Sequence, residues 1–531
     1  DTDRSRGLGD VYKRQVVDCG MGFPDDDMYG IDVVIPDVSY LIKNQSKIRG
    51  IFITHGHEDH IGAIPYVLRS VNAPIYATRM SAGLIQLKLE EHRLVSKTKM
   101  ITCEAGDVIQ AGKFSVEFIH VNHSIADAVA FAIKSPVGTV VHTGDFKIDT
   151  TPIQGGMIDL ARFGALGREG VLALLADSTN VERPGYTRSE SSVGNSFDVL
   201  FKGCEERIIV TTFASNVDRL QQIINVAARY GRRVAVTGRS MENAMKVSTA
   251  LGYMNIPDGV LMDLNHIKSL PKNKVCIITT GSQGETMSAL TRMAFNTHRQ
   301  VDLLPGDRVI IPASAIPGNE NAIGNVVNEL YRKGVEVMNE REMTLHVSGH
   351  ACQEELKIVH ALVKPRFFIP VHGEQRMLQI HSQLAQDMGM DRNHIAIADN
   401  GSVIEITAKT IKLGGTVPSG EVYVDGSGVG DVYGNAVLVP ALYDAIAANG
   451  GEIRWETKSE RLVRDGEGPV TGAIVSTPEG MVQINAKSVV IASGDYAADD
   501  EMFRYYAPMT AYAMDARYYN CLLYTSDAAD D

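Results

Sequence analysis

The sequence predicts an α/β protein in which a strand-rich fold is interrupted by an inserted parallel sheet covered by helices. Between residues 16 and about 200, short apolar runs bounded by turn residues are typical of buried strands with helices interspersed. Between roughly 200 and 350 the pattern changes to repeated strand–helix units, which favour a parallel sheet. The chain has 531 residues, too many for one core, so two or three domains are expected.

Composition is that of an ordinary globular protein, with 44% hydrophobic and 22% charged residues. No apolar run is long enough to cross a bilayer, so neither a membrane span nor a membrane partner is predicted. The amino terminus has no signal-like segment, and the six cysteines show no paired spacing, which together predict reduced thiols and a cytoplasmic location. The net charge of −13 neither favours nor excludes a nucleic-acid partner, because phosphate affinity depends on where the Lys and Arg residues lie.

Residues 54–60 (THGHEDH) are the first candidate site, because they place three histidines and an aspartate close together. The apolar run 48–53 before them predicts a buried strand, and residues 61–68 after them are typical of the opening of a helix. The cluster is therefore expected on a strand-to-helix loop, where a rigid scaffold can hold ligands at an open cavity.

The chemistry of this cluster indicates metal binding. His55 and His57 can converge on one cation, and Asp59 and His60 on a second one nearby. Imidazole with carboxylate suits zinc or manganese, whereas thiolates are expected at a closed structural site. The alternative is a polar loop in which the histidines occur by chance.

Two further predicted strands end near a potential ligand. His123 follows strand 114–121, and Asp145 follows strand 138–143. Alone, such a histidine is evenly balanced between ligand and structural roles, and Asp145 after a glycine could serve a turn. Their significance comes from joining the earlier cluster. The other strands predicted in this region are 74–77, 128–134 and 171–176.

The segment from about 200 to 350 has small polar residues after its strands. Ligands in open α/β sheets bind at those carboxyl ends, and backbone amides at helix starts can hold phosphate. Ser215 and Asn216 occupy such a position, although helix capping explains them equally well. The predicted strands are 207–213, 232–237, 275–280 and 308–313, and the predicted helices are 217–230, 241–251 and 320–333.

Taken in order, the candidate residues resemble the metallo-β-lactamase fold, an αββα sandwich, with an insertion that resembles the β-CASP domain. The motifs of the sandwich are Asp18, the HxHxDH pattern at 55–60, His123, Asp145 and His372, and those of the insertion are Asp177 and His350. Three stretches are similar to the bacterial ribonuclease J family: GFPDDDMYGID at 22–32, VNHSI at 121–125 and HVSGHA at 346–351. The resemblance covers about residues 16–431.

The resemblance implies two zinc or manganese ions per chain. One would be held by His55, His57, His123 and Asp145, and the other by Asp59, His60, Asp145 and His372. Two such cations can share a hydroxide and stabilise both the attacking and the leaving oxygen of a phosphodiester. Asp18 would orient a ligand through hydrogen bonds, and His350 would act as a proton donor or as a partner for the scissile phosphate, with Asp177 fixing or tuning it.

The same resemblance implies RNA as substrate, cut from the 5′ end towards the 3′ end with preference for a 5′-monophosphate and also internally, in RNA maturation and decay. Ser, Asn and backbone N–H groups are reasonable phosphate donors. The implied contacts are Ser215, Asn216, His346, Val347, Ser348, Gly349 and His350. A further ion, calcium, is implied near Gly30, Asp32 and Asp425, whose hard oxygen ligands suit it.

The spacing of the ligands supports a polymer substrate. Asp145 and His372 lie 227 residues apart (372 − 145), so a whole domain interrupts the metal-binding fold. A small-molecule hydrolase of the same core fold, of lactamase or glyoxalase type, does not need that domain and is the alternative. A catalytically dead RNA-binding scaffold is disfavoured, because every expected metal position is filled.

The carboxyl-terminal part has a different character. Residues 436–510 resemble part of the FAD domain of fumarate-reductase-like flavoproteins, most closely at 489–494 (VVIASG), with strands expected around 452–456, 470–476 and 487–492. The glycine-rich turn of a dinucleotide site is absent from this region, so no working FAD site is expected. A chimera of two reading frames explains this foreign α+β tail better than a true fusion, which would add flavin-dependent reduction.

Domain boundaries follow from these assignments. Family members form homodimers or tetramers through a carboxyl-terminal domain, so weaker association is expected where the foreign tail replaces it. The predicted division is an artefactual leader at 1–15, a metallo-β-lactamase domain in two parts at 16–200 and 358–431, a β-CASP domain at 201–357, the flavoprotein-like fragment at 432–520 and an artefactual tail at 521–531.

Overall fold

The computed structural model describes residues 6–10, 13–22, 31, 33–281, 288–312, 320–339, 345–424, 458–464, 470–477 and 480–486. They belong to two compact units, one formed by Asp1–Gly22 with Ile35–Val422 and the other by Phe23–Val34 with Tyr423–Asp531. Within the described residues, no helix has the length and apolar character needed to cross a membrane.

The elements as far as residue 142 are β1 (Arg6–Asp10), β2 (Lys13–Val17), β3 (Val33–Pro36), α1 (Ser39–Lys43), β4 (Ile48–Phe52), α2 (Glu58–Ile61), α3 (Ile64–Val67), β5 (Ile75–Thr78), α4 (Arg79–Glu91), β6 (Met100–Cys103), β7 (Val108–Ala111), β8 (Phe114–His120), β9 (Val129–Lys134) and β10 (Thr139–His142). The next are α5 (Leu160–Glu169), β11 (Val171–Asp177), α6 (Ser191–Phe201), β12 (Ile208–Thr211), α7 (Val217–Arg229), β13 (Arg233–Thr237), α8 (Arg239–Ala250), β14 (Val275–Thr279), α9 (Ala289–Ala294), β15 (Arg308–Ile311), α10 (Glu320–Arg332) and β16 (Glu336–Asn339). The last are α11 (Gln353–Val363), β17 (Phe367–Val371), α12 (Gln375–Asp387), β18 (Ser402–Ile406), β19 (Ile411–Thr416), β20 (Glu421–Val424), β21 (Lys458–Arg464), β22 (Val470–Thr477) and β23 (Gly480–Asn485).

Two β-sheets face each other across an apolar core. One has the strand order β1-β2-β4-β5-β6, and the other the order β17-β11-β10-β9-β8-β7. Phe52 of β4 meets Phe118 and Phe131 of the second sheet, with ring centroids 6.3 and 6.2 Å away. Such offset and edge-on aromatic contacts add to the free energy gained by burying the rings.

Helices cover the outer faces of both sheets. On the first sheet α4 packs against β5 and β6. On the second, α5, α11 and α12 share a core with the strands, represented by Phe163, Leu356 and Phe368. The layers are therefore helices, sheet, sheet and helices, which confirms the αββα sandwich predicted from the sequence.

A third sheet lies in the inserted segment and is parallel throughout, with the order β13-β14-β12-β15-β16. Helices α6, α7 and α8 cover one of its faces and α9 and α10 the other. All five residues of β14 are buried, because a strand in the middle of such a sheet contacts helices on both sides. The inserted parallel sheet is thus confirmed, while its boundaries at 201 and 357 stay a prediction.

The described amino-terminal residues pair with the first sheet. β2 begins at Lys13, pairs in parallel with β4 and forms an antiparallel pair with β1. Gln15 is fully buried and donates from Nε2 to the carbonyl oxygen of Ala111 at 3.1 Å. Residues 13–15 therefore pair within the first sheet, while the assignment of residues 1–15 to an artefactual leader stays a prediction. Strand pairing is made by the backbone, so an unusual composition did not reveal it.

In the second unit β21, β22 and β23 form an antiparallel sheet. The predicted strand 470–476 corresponds to β22, whereas the predictions at 452–456 and 487–492 fall outside the described residues. β21 and β23 were not predicted. Every residue of β23 is exposed, so its sequence lacks the alternation that marks a half-buried strand.

Helices α5 and α11 approach closely at Gly167, which leads to a stability prediction. A Cβ atom there would lie 2.0 Å from the carbonyl oxygen of Leu362, whereas at Gly164 of the same helix the nearest atom is 3.6 Å away. We expect Gly167→Ala to lower the free energy of unfolding by about 1–3 kcal/mol, because α11 must move. Gly164→Ala, the matched control, should raise it by up to about 1 kcal/mol through helix propensity. Equal denaturant-unfolding curves for the two variants would contradict this packing.

Candidate metal and nuclease site

The candidate site lies where strand ends of the two facing sheets meet. His55 and His57 follow β4 in the first sheet, while Asp145 follows β10 and His372 follows β17 in the second. β10, β11 and β17 are parallel neighbours, so their carboxyl ends share one edge. A backbone hydrogen bond from the N–H of Val129 to the carbonyl oxygen of Thr54, at 2.9 Å, joins the two sheets there.

The sequence motif at 54–60 spans a loop and the first turn of a helix. His57 precedes α2, whose first turn contains Glu58, Asp59 and His60. The helix therefore begins three residues earlier than position 61, where it was expected. Carboxylates in a first turn are favourable next to the positive end of the helix dipole, which explains the early start.

Three imidazoles form the first ligand group. Nε2 of His55 lies 3.0 Å from Nδ1 of His57, and Nε2 of His123 lies 3.1 Å from the same atom. One nitrogen from each ring thus lies within 4.8 Å of the others. Burial lowers the pKa of all three, to about 4 for His57, so the rings are neutral and present lone pairs.

A second group combines carboxylates and imidazoles around Asp145. Oδ2 of Asp145 lies 3.3 Å from Nε2 of His60 and 3.5 Å from Nε2 of His372. The same oxygen lies 3.7 Å from Nε2 of His55 and 3.8 Å from Nε2 of His123, so this carboxylate faces both groups. The atoms that lie within 4.8 Å of one another belong to Asp59, His60, Asp145 and His372.

Contacts behind the rings decide which nitrogen points into the site. Oδ2 of Asp18 lies 2.7 Å from Nδ1 of His60, and Oδ1 of Asp18 accepts from the N–H of Thr54 at 2.7 Å. Nδ1 of His372 donates to Oγ1 of Thr179 at 2.7 Å. The contacts with Asp18 and Thr179 engage Nδ1 of His60 and of His372 and leave Nε2 of both rings for the site, the arrangement found around metal-bound histidines.

These donors fit divalent cations. Nε2 of His60 and Nε2 of His372 are buried, and neither has a hydrogen-bond partner among the described residues. Burial opposes protonation of His60, yet the carboxylates of Asp145 and Asp59 outweigh burial and raise its pKa, which shows that this group attracts positive charge. Nitrogen and carboxylate oxygen without thiolate suit zinc or manganese.

His350 and Asp177 form a separate pair at the edge of the metal groups. Nδ1 of His350 lies 2.8 Å from Oδ2 of Asp177, whose Oδ1 accepts from the N–H and hydroxyl of Thr179 at 3.0 and 2.8 Å. Burial opposes protonation of His350, but Asp177 outweighs it, and the pKa of His350 is raised. The pair is therefore suited to hold a proton on the imidazole.

The run 346–350 is held against the metal groups by its backbone. The carbonyl oxygen of Gly349 lies 2.8 Å from Nδ1 of His123, and a Cβ atom at Gly349 would lie 2.6 Å from that ring. Ser348 Oγ accepts from Nδ2 of Asn180 at 2.8 Å. Val347, which was expected to contact substrate, is buried in the core of the inserted segment, so only its backbone is available.

Ser215 and Asn216 lie at the start of α7, as predicted. Oδ1 of Asn216 caps the helix by accepting from the N–H of Arg219 at 3.0 Å. The side chain of Arg219 continues to Nδ1 of His346 at 3.3 Å, linking this helix to the run 346–350.

Several functional neighbours were missed from the sequence, and one prediction cannot be placed. The missed residues are Thr54, Thr179, Glu190 and Arg219. In the sequence, Thr54 directly precedes His55 and Thr179 lies two residues after Asp177, and this proximity is the only signal that could have indicated either of them. The expected calcium residues Gly30, Asp32 and Asp425 lie outside the described residues.

Three family models match the chain. Residues 14–149 match the metallo-beta-lactamase superfamily, residues 205–330 match "Ribonuclease J, beta-CASP domain", and residues 334–397 match "Zn-dependent metallo-hydrolase RNA specificity domain". The first match contains the predicted ligands as far as Asp145, and the third contains His350 and His372.

Curated relatives agree with these matches. "Ribonuclease J 1" of Streptococcus pyogenes is 44% identical over 442 residues, covering 81% of this chain and 79% of the relative. "Ribonuclease J2" of Bacillus subtilis is 41% identical, with 80% and 76% covered. "Ribonuclease J" of Synechocystis is 46% identical, with 78% of this chain and only 65% of the relative covered.

The fold also resembles a solved structure. A protein of unknown function from Enterococcus faecalis V583 superposes with a TM-score of 0.51, covering 79% of this chain and 96% of that protein. Its sequence identity is 14%, so the similarity concerns the fold alone.

Proposed function

The chain belongs to the ribonuclease J family, and on that premise we propose that it is a metal-dependent ribonuclease that hydrolyses RNA phosphodiester bonds. The observation that carries the proposal is that one carboxylate, Asp145, faces two ligand groups beside the His350–Asp177 pair. The matched RNA specificity domain contains His350 and His372 and supports RNA as the substrate.

We assign two divalent cations, zinc or manganese, to the two groups. When bound, they supply the Lewis acidity that stabilises the attacking and leaving oxygens of a phosphodiester. Asp18 and Thr179 hold His60 and His372 with Nε2 directed to the site. One cation is assigned to His55, His57, His123 and Asp145, and the other to Asp59, His60, Asp145 and His372.

His350 is assigned the transfer of a proton to the leaving 3′ oxygen. Its Nδ1 is engaged by Asp177, so Nε2 is the nitrogen that can reach substrate. Because Asp177 favours the imidazolium, His350 carries the proton before the bond breaks. Asp177 is itself held by Thr179, which keeps the ring in one orientation.

Phosphate recognition is assigned to the start of α7 and the run 346–350. Helix starts present unpaired backbone N–H groups, which favour anions. A bound 5′-monophosphate would place the first phosphodiester near the cations, so we propose cleavage from the 5′ end, with internal cleavage of longer RNA. The contributing residues are Ser215, Asn216, His346, Ser348 and Gly349, with the backbone of Val347.

The remaining expectations stay predictions. These are participation in RNA maturation and decay, a cytoplasmic location, weakened dimer or tetramer formation, a calcium ion, the domain boundaries, and a carboxyl-terminal fragment without FAD. Whole-protein activity is also proposed, because the chain spans 65% of the Synechocystis relative and 79% of the Streptococcus relative.

An RNA degradation assay tests the proposed function. The chain is treated with a chelator, resupplied with zinc or manganese, and given an oligonucleotide with a 5′-monophosphate or a 5′-hydroxyl. We expect metal-dependent cleavage, faster on the monophosphate and starting at the 5′ end, and none with His57→Ala. Survival of the RNA while a lactam or thioester is hydrolysed would instead favour a small-molecule hydrolase.

A further inference from the structure

We propose that Arg219 is a positioning residue that fixes the tautomer of His346, so that His346 presents an Nε2–H donor to an RNA phosphate. The inference deepens the proposed function and rests on it. Arg219 lies on α7 of the inserted segment, and its side chain is completely buried. A fully buried arginine needs a structural or functional reason, because desolvating its charge is unfavourable.

The guanidinium of Arg219 is held on three sides. Its Nε and Nη2 donate to the two carboxylate oxygens of Glu190 at 3.0 and 3.1 Å. Its Nη1 donates to the carbonyl oxygen of Pro312 at 3.2 Å and faces Nδ1 of His346 at 3.3 Å. A bidentate pair of this kind fixes the plane of the guanidinium, and with it the direction of Nη1.

The contact with His346 has only one chemical solution. A guanidinium has donors and no acceptor, so Nδ1 of His346 must be the accepting nitrogen. A neutral imidazole with an accepting Nδ1 carries its hydrogen on Nε2. Burial, followed by the charges of Arg219, Arg183 and Lys147, lowers the pKa of His346 to about 3, consistent with a neutral ring.

The same residue fixes the orientation of Asn216. The backbone N–H of Arg219 occupies Oδ1 of Asn216, so the amide group of this side chain is left with its two N–H donors. His346 is thereby a donor at Nε2, and Asn216 is a donor at Nδ2. Phosphate offers only acceptors when ionised, so two fixed donors match it.

Arg219 does not contact phosphate itself. Its side chain has no exposed surface, and the carboxylate of Glu190 balances its charge. The side chain of Arg219 therefore acts on substrate through His346, which distinguishes it from an arginine that binds phosphate directly. The contact with Asn216 is made by the backbone N–H and persists when the side chain is replaced.

The test uses Arg219→Lys in the full chain loaded with zinc. Lysine keeps the charge but loses the planar fork, so His346 can adopt the other tautomer. We expect KM for a 5′-monophosphorylated oligonucleotide to rise roughly tenfold. The kcat for that substrate, and KM for a 5′-hydroxyl oligonucleotide, should stay within about twofold of the values for the unmodified chain. Histidine-selective ¹⁵N spectra, assigned with His346→Gln, should show Nε2–H in the unmodified chain and a tautomer mixture in Arg219→Lys.

Arg207→Lys is the matched control. Arg207 is also buried in the inserted segment, donates from Nε to Oδ1 of Asp307 at 2.8 Å, and contacts the carbonyl oxygen of Asp302. The Arg207→Lys substitution should lower the free energy of unfolding about as much as Arg219→Lys does. It should leave KM for the 5′-monophosphorylated oligonucleotide and the ¹⁵N spectrum of His346 unchanged. A rise in KM with Arg207→Lys equal to that of Arg219→Lys would reduce the role of Arg219 to general stability and overturn the proposal.

A double-mutant cycle removes the remaining alternative. Glutamine at 346 keeps an N–H donor and has no tautomers, so Arg219→Lys in a His346→Gln background should not raise KM further. Additive effects would contradict transmission through His346. The ¹⁵N spectrum does not depend on catalysis. An Nδ1–H tautomer of His346 in the unmodified chain would therefore contradict this inference, whatever the RNA assay shows. An Nε2–H signal without RNA cleavage would contradict only the proposed function.

Discussion

Asp145→Asn is expected to abolish RNA hydrolysis, lowering kcat by about 10⁴-fold or more. The carboxylate oxygen of Asp145 lies within 3.8 Å of an imidazole nitrogen of His55, His60, His123 and His372, so it is shared by both ligand groups. Asparagine keeps the size but removes the negative charge that the two proposed cations would need. Metal content measured by elemental analysis should fall together with kcat.

The control for this prediction is Asp307→Asn. Asp307 is a fully buried carboxylate of the inserted segment that pairs with Arg207. The change should lower the free energy of unfolding by about 3 kcal/mol, while the metal content and kcat below the melting temperature stay within about twofold. Retention of two metals and most of the kcat in Asp145→Asn would contradict a shared ligand.

The fold was predictable wherever burial requires a recognisable pattern of apolar residues in the sequence. Central strands such as β11 and β14 are buried at every position and therefore appear as unbroken apolar runs. The sequences of β1 and β23 contain no such apolar run. These strands pair with their sequence neighbours β2 and β22, so their place in a sheet depends on backbone hydrogen bonds that composition does not reveal.

The ligands of the candidate site were predictable because several occupy one short motif and the others follow apolar strands. The residues that orient them were not. Thr179 contacts His372 across 193 positions, and Arg219 contacts His346 across 127. Threonine and arginine are common in every protein, so only their three-dimensional neighbours distinguish these two from many others.

His350→Gln is expected to lower kcat by roughly 10³-fold through loss of proton transfer, while both metals stay bound. The ring of His350 is joined to Asp177 at 2.8 Å, whereas its Nδ1 lies 4.0 Å from the shared carboxylate of Asp145. Glutamine can still donate a hydrogen bond to phosphate but cannot transfer a proton. KM for RNA should therefore change little, and the loss should appear in kcat.

Leaving-group chemistry separates proton transfer from every other role of His350. A substrate whose leaving group is nitrophenolate needs little protonation, so His350→Gln should cleave it nearly as fast as the unmodified chain. Asp177→Asn is expected to behave in the same way, because Asp177 contacts Nδ1 of His350 and favours its protonated form. His350 also belongs to a third possible ligand set with Asp145, Asp177 and His372. A loss of metal in His350→Gln, or an equal loss of kcat on both substrates, would therefore show that this imidazole supports the metal groups instead of transferring a proton.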